Sequence, residues 1–97
     1  MVKKVVRVTE HETSGFTVGR NYLIRTVTMI DTGRLVSIGE HELVLDDAAW
    51  IADTGRFADA LKSCEFCEVE PFPGKIIIGR GSIVDACEIE SLPRKQK

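Results

Sequence analysis

The chain is 97 residues long, 43% apolar and 29% charged, with a formal net charge of −2. That length fits one domain spanning residues 1–97, near the size at which self-association begins to help stability. The slight acidic excess argues against a general polyanion binder such as a double-stranded DNA protein. No apolar run approaches the ~18 residues of a membrane span. The N-terminus carries no signal-type apolar stretch, so a cytoplasmic protein is expected, its three cysteines reduced.

In chain order, residues 3–9 are rich in Val and predict a strand, followed by a polar, glycine-containing connection over residues 10–19. Residues 21–31 predict a long strand, with Tyr22, Ile24 and Ile30 on one face and Leu23, Val27 and Met29 on the other. Apolar residues on both faces indicate a central strand in a bent sheet. Asp31-Thr32-Gly33 predicts the turn that follows, with Gly33 free to take a positive φ. Residues 34–38 and 42–46 then form a hairpin closed by Gly39-Glu40-His41, with Leu35, Leu43 and Leu45 as core candidates.

The chain is expected to leave the sheet over residues 46–50. Thr54 is placed to cap a short helix within about residues 54–64, whose Phe57, Ala60 and Leu61 share a stripe. Residues 67–70 predict a short strand, and Pro71-Phe72-Pro73-Gly74 a hard stop. Residues 75–78 and 83–89 predict the last strands, joined by Arg80-Gly81-Ser82. From about residue 92 the chain reads as a flexible, basic tail. The tetrapeptide Asp-Thr-Gly-Arg occurs at residues 31–34 and again at 53–56, a reuse of good turn chemistry rather than an internal repeat.

Gly33, Leu35, Leu43, Leu45 and Asp46-Asp47-Ala48, and later Ile76-Ile77-Ile78, Arg80-Gly81 and Val84, follow in type and order the two halves of a known motif. In this the chain resembles the Sm/Hfq-like (LSm) barrel family. The resemblance implies a mainly β, small bent antiparallel barrel of the SH3/Sm type with one short inserted helix, assembled as a homo-oligomeric ring. Three features depart from the family pattern. Gly39 stands where Asp is usual, and Glu42 where a base-reading Asn is usual. A strand-like segment replaces the N-terminal helix, and residues 49–74 form an insertion. The overall pattern, including Asp47-Ala48-Ala49-Trp50-Ile51-Ala52-Asp53 and Glu70-Pro71-Phe72-Pro73-Gly74, is also similar to a small family of uncharacterised phage and prophage proteins.

In Sm-like rings the two bends lie together at the pore, which would gather His41, Arg80 and Ser82. Arg can pair bidentately with phosphate, and His can stack on a base. Glu40, Arg34 and Trp50 complete the candidate ligand-binding set, although the small neighbours of Trp50 point first to a packed joint between helix and sheet or a subunit interface. The bland alternative has Arg80 paired with Glu40 or Glu42 and His41 as an ordinary turn residue.

Cys64-Glu65-Phe66-Cys67 has the spacing of half a zinc site, with Cys87, His41 and His11 as possible completions. No second paired motif accompanies it, so no metal or other cofactor is expected. Asp46, Asp47 and Asp53 read as turn and capping residues rather than a cation loop. No nucleophile elbow, P-loop or metalloprotease motif is present, so the chain is not expected to be an enzyme. The expectation is a non-enzymatic oligomer binding a nucleotide-type ligand. A phage-encoded sponge for a nucleotide immune signal fits, with single-stranded RNA binding or a protein-only adaptor as alternatives.

Overall fold

In the computed structural model, which describes residues 15–95, six antiparallel strands and one short helix follow one another along the chain. They are β1 (Asn21–Thr26), β2 (Ile30–Ile38), β3 (Glu42–Asp53), α1 (Phe57–Ser63), β4 (Glu68–Pro71), β5 (Ile76–Gly79) and β6 (Ile83–Glu88), with a 3-10 turn, Arg80–Ser82, between the last two. The strand expected at residues 3–9 lies outside the described residues. The mainly β class with a single short helix is the one the sequence indicates.

Pairing runs β4–β3–β2–β1–β6, and β5 also pairs with β3. The twelve-residue β3 organises this path. One side of it carries β2 from Leu43 to Trp50. Its other side is shared, with β5 on Glu42 to Leu45 and β4 on Ala49 to Asp53. The sequence expectation that the chain leaves the sheet over residues 46–50 is therefore corrected. The strand continues through Asp46 and Asp47, with Asp47 in the left-handed region at φ 50°. The register against β2 shifts between Thr32 and Arg34, on either side of Gly33.

Successive residues of β1 divide between two cores, as alternation requires. Tyr22 and Ile24 join Leu35, Leu43, Leu45, Ala48 and Ile78 on one face. Leu23 joins Ala49, Ile51, Ala60, Cys64, Phe66, Val69 and Ile89 on the other. Much of the second core comes from the inserted segment, whose Phe66 is fully buried. Burying such a ring is worth roughly 1.5–3 kcal/mol from water exclusion alone.

Three local expectations change. The turn after β1 is at Val27 to Met29, not at residues 31–33. Thr26 makes it: its N–H donates to Met29 O (2.7 Å), and its Oγ1 accepts from Met29 N–H (2.9 Å). Gly33 lies inside β2 without a positive φ. Its value is close approach, since a Cβ there would stand 2.8 Å from Leu45 Cβ and 3.3 Å from Ala48 Cβ. Thr54 does not cap α1; the N-cap is Arg56, with no side-chain bond. The loop before it is instead an Asx turn, in which Asp53 Oδ1 accepts from Gly55 N–H at 2.8 Å.

Where the sequence reads only a polar tail, Leu92 packs against the second core and Pro93 is buried. Arg94 Nη1 donates to Ala48 O at 2.6 Å, the same carbonyl that accepts Phe72 N–H at 2.9 Å. The guanidinium thus fills the gap on β3 between β4 and β5.

Candidate functional site

The 3-10 turn Arg80–Ser82 connects strands lying far apart in the pairing path, and it is latched at both ends. At one end, Arg80 N–H donates to His41 O (2.9 Å) and Arg80 Nη1 to Gly39 O (2.8 Å). At the other, Val27 N–H donates to Ser82 O at 2.9 Å, and Ser82 Oγ donates to Gly79 O at 2.7 Å. The bend between β2 and β3 is itself closed by Gly39 N–H donating to Glu42 O at 2.7 Å. The two bends singled out in the sequence therefore meet, through backbone carbonyls that Arg80 reaches.

Outside this latch, His41 and Glu40 project into solvent, with side chains 89% and 86% exposed and Nε2 3.8 Å from Oε1. The junction presents an accessible imidazole and a carboxylate above a half-buried guanidinium. Such a set can stack on or hydrogen-bond a ring, while Glu40 opposes phosphate. Ser82 holds the turn.

Arg34 and Trp50 belong to other places. Arg34 is five residues before Gly39, about 16 Å of strand. Its guanidinium donates to Asp47 Oδ2 (2.6 Å) and Asp46 Oδ2 (3.1 Å), clamping the irregularity of β3. The hydrogen bond to Asp47, with the charge of both carboxylates, raises the Arg34 pKa further. Trp50 stands nine residues beyond His41, about 30 Å of strand, and is 40% exposed. It does not anchor the core. With Met29, Glu70, Pro71 and Phe72 it lines a groove of about 260 Å³.

Sequence reasoning missed the surroundings of Trp50. Asp31, taken for a turn residue, is directly opposite Trp50 on β2, and Glu70 is directly opposite it on β4. Asp31 is 6% exposed, and its Oδ1 has no hydrogen-bond partner. Burial pushes this carboxyl above the ordinary range. Elsewhere Arg25 forms a bidentate pair with Asp85 and lies over the Phe57 ring, 5.4 Å from its centroid. That pairing, chiefly its hydrogen bond, holds the Asp85 carboxyl below the usual range.

The three cysteines are free thiols, with Cys64 buried and Cys67 and Cys87 half-buried. Burial, reinforced by the Asp85 charge, pushes the Cys87 thiol up. Among the described residues no group of three or more His, Cys, Asp or Glu could hold a metal ion, and no helix is long and apolar enough to cross a membrane. His11 lies outside the described residues. Comparison of the chain with family models, with curated proteins and with solved structures finds no match.

Proposed function

We propose that this chain is a non-enzymatic, Sm-like small barrel that self-associates through its open strand edges and holds a nucleotide-type ligand beside the junction of its two bends. One observation carries the reading: the 3-10 turn brings Arg80 onto Gly39 and His41 while leaving the His41 imidazole exposed. Closure of the sheet between β5 and β6 belongs to the same proposal. So does a cytoplasmic role as a phage-type sponge for a small nucleotide. The strand order supports it: β6 pairs with β1 at one end of the path, β5 pairs with β3, and one 3-10 turn joins them. Exposed strand edges invite pairing with another copy, which is the physical route to a ring.

A protein-only adaptor is the second reading, favoured by the exposed Val27, Met29, Ile77 and Val84. Single-stranded RNA is the other ligand to test. Native mass spectrometry of freshly purified protein gives the copy number and any nucleotide carried through purification. Thermal stabilisation by one nucleotide, lost in His41→Ala, supports the small-ligand reading. Because that side chain is almost wholly solvent-exposed, its removal leaves the fold intact. Binding that grows with oligonucleotide length and falls steeply with salt supports RNA. A monomer with neither behaviour overturns both.

A further inference from the structure

Asp31, Trp50 and Glu70 form one row across β2, β3 and β4. Asp31 is paired with Trp50, and Trp50 with Glu70, in regular stretches of the two ladders. Directly opposed residues of antiparallel strands project from the same face, with Cβ atoms about 4.5–5.5 Å apart. The indole is therefore flanked by a carboxyl on each side. One is buried with an unpartnered oxygen. The other is exposed, and among the described residues no cation pairs with it. Of the row, Trp50 and Glu70 line the groove, which Met29, Pro71 and Phe72 complete with apolar surface, while Asp31 lies buried behind the indole.

The polar side chain that the groove presents, Glu70, is an exposed carboxylate set against an aromatic face. A carboxylate beside an exposed indole is complementary to a planar cation that stacks and donates at the same time. The protein holds that combination once already with a cation of its own, where Arg25 lies over Phe57 and pairs with Asp85. The nearby Arg94 is engaged with the carbonyls of Ala48 and Phe72.

We propose that the Trp50–Glu70 groove is a binding site for a guanidinium group, the side chain of an arginine presented by a partner protein. The guanidinium stacks on the indole and donates to Glu70 at the rim. This site is separate from the junction of the two bends and does not depend on the nucleotide reading.

Trp50 is the only tryptophan of the chain, so its fluorescence reports this row. The test titrates full-length protein with a blocked Gly-Gly-Arg-Gly-Gly peptide and with the same peptide carrying citrulline, which keeps the shape and loses the charge. Saturable quenching by the arginine peptide, about tenfold weaker with citrulline, is expected. Glu70→Gln should weaken the arginine peptide several-fold, and Glu68→Gln, outside the row, should not. Equal binding of both peptides, no saturable quenching, or indifference to Glu70→Gln overturns the proposal. Quenching by mononucleotides but by neither peptide reassigns the groove to a base and overturns it too.

Discussion

Gly33→Ala tests whether the bend of the sheet depends on a single missing side chain. A Cβ at this position would stand 2.8 Å from Leu45 Cβ, 3.1 Å from Leu45 Cδ1 and 3.3 Å from Ala48 Cβ. Two of these three atoms are themselves Cβ atoms, fixed to the backbone of β3, so no rotamer change moves them. Relief requires β2 and β3 to part. They are held on either side by the pairs Thr32–Ala49 and Arg34–Asp46. Overpacking of this kind costs roughly 1–3 kcal/mol, and the rigid neighbours place Gly33→Ala at about 2–3 kcal/mol.

With a urea slope of about 1 kcal/mol/M for a small domain, the midpoint should fall by about 2–3 M. The control is Gly81→Ala, where an added Cβ meets nothing within 4 Å, and whose stability should stay within about 0.5 kcal/mol of wild type. Adding Leu45→Ala to Gly33→Ala should not rescue it, because the nearest atom, Leu45 Cβ, remains. Equilibrium urea unfolding followed by circular dichroism measures all four proteins. A loss under about 0.5 kcal/mol for Gly33→Ala, or full rescue by Leu45→Ala, would refute the reasoning.

Phe66→Ala should cost about 3–5 kcal/mol in the same assay, because the ring is fully buried in the core made by the insertion. Asp31→Asn addresses pH. Because burial raises the folded carboxyl above its unfolded value, the folded state binds more protons there, and wild-type stability falls as pH rises from about 4 through the raised range. Asp31→Asn should equal wild type at low pH and exceed it at neutral pH, read from urea midpoints across that range. Arg94→Ala should cost about 1–2 kcal/mol, since it strips a charged donor from Ala48 O. Arg94→Lys should recover less than half of that loss, because an ammonium cannot span the Ala48 and Phe72 carbonyls as the fork does.

The β-strand residues were legible because the signal is periodic. Leu43 and Leu45 stand two apart, Leu35 faces Leu45 across the ladder, and all three reach the core. Tyr22, Leu23 and Ile24 betrayed a strand buried on both faces. Turn chemistry misled where two signals competed. Thr26-Val27-Thr28 is β-branched and reads as strand, yet the Thr26 hydroxyl hydrogen-bonds its own loop and reverses the chain. Asp-Thr-Gly reads as a turn at both of its occurrences. At Asp53 to Gly55 it is one, with Gly55 at φ +69°. At Asp31 to Gly33 it is strand, because Gly33 serves close packing against a residue twelve positions away, which no local rule contains. The meeting of the two bends was legible through the family resemblance. The Asp31–Trp50–Glu70 row was not, because its three residues are brought side by side only by the long-range register of three strands.

That register follows from how β3 is interrupted. Asp47 takes φ 50°, its N–H donates to Asp46 Oδ1 at 2.9 Å, and Arg34 binds both carboxylates from β2. At that interruption β3 stops pairing with β5 and has not yet met β4. The free Ala48 carbonyl is taken instead by Phe72 N–H and Arg94. One strand can then serve two short partners on the same side, with the bend junction at its start and the exposed indole near its end. Losing the clamp should therefore disturb both ends together, whereas Trp50 or His41 substitutions should each disturb only one. Amide exchange of Arg34→Gln decides it: faster exchange at Arg80 and at Ile51 alike supports a shared interruption, and faster exchange at only one of them means the two halves of β3 stand independently.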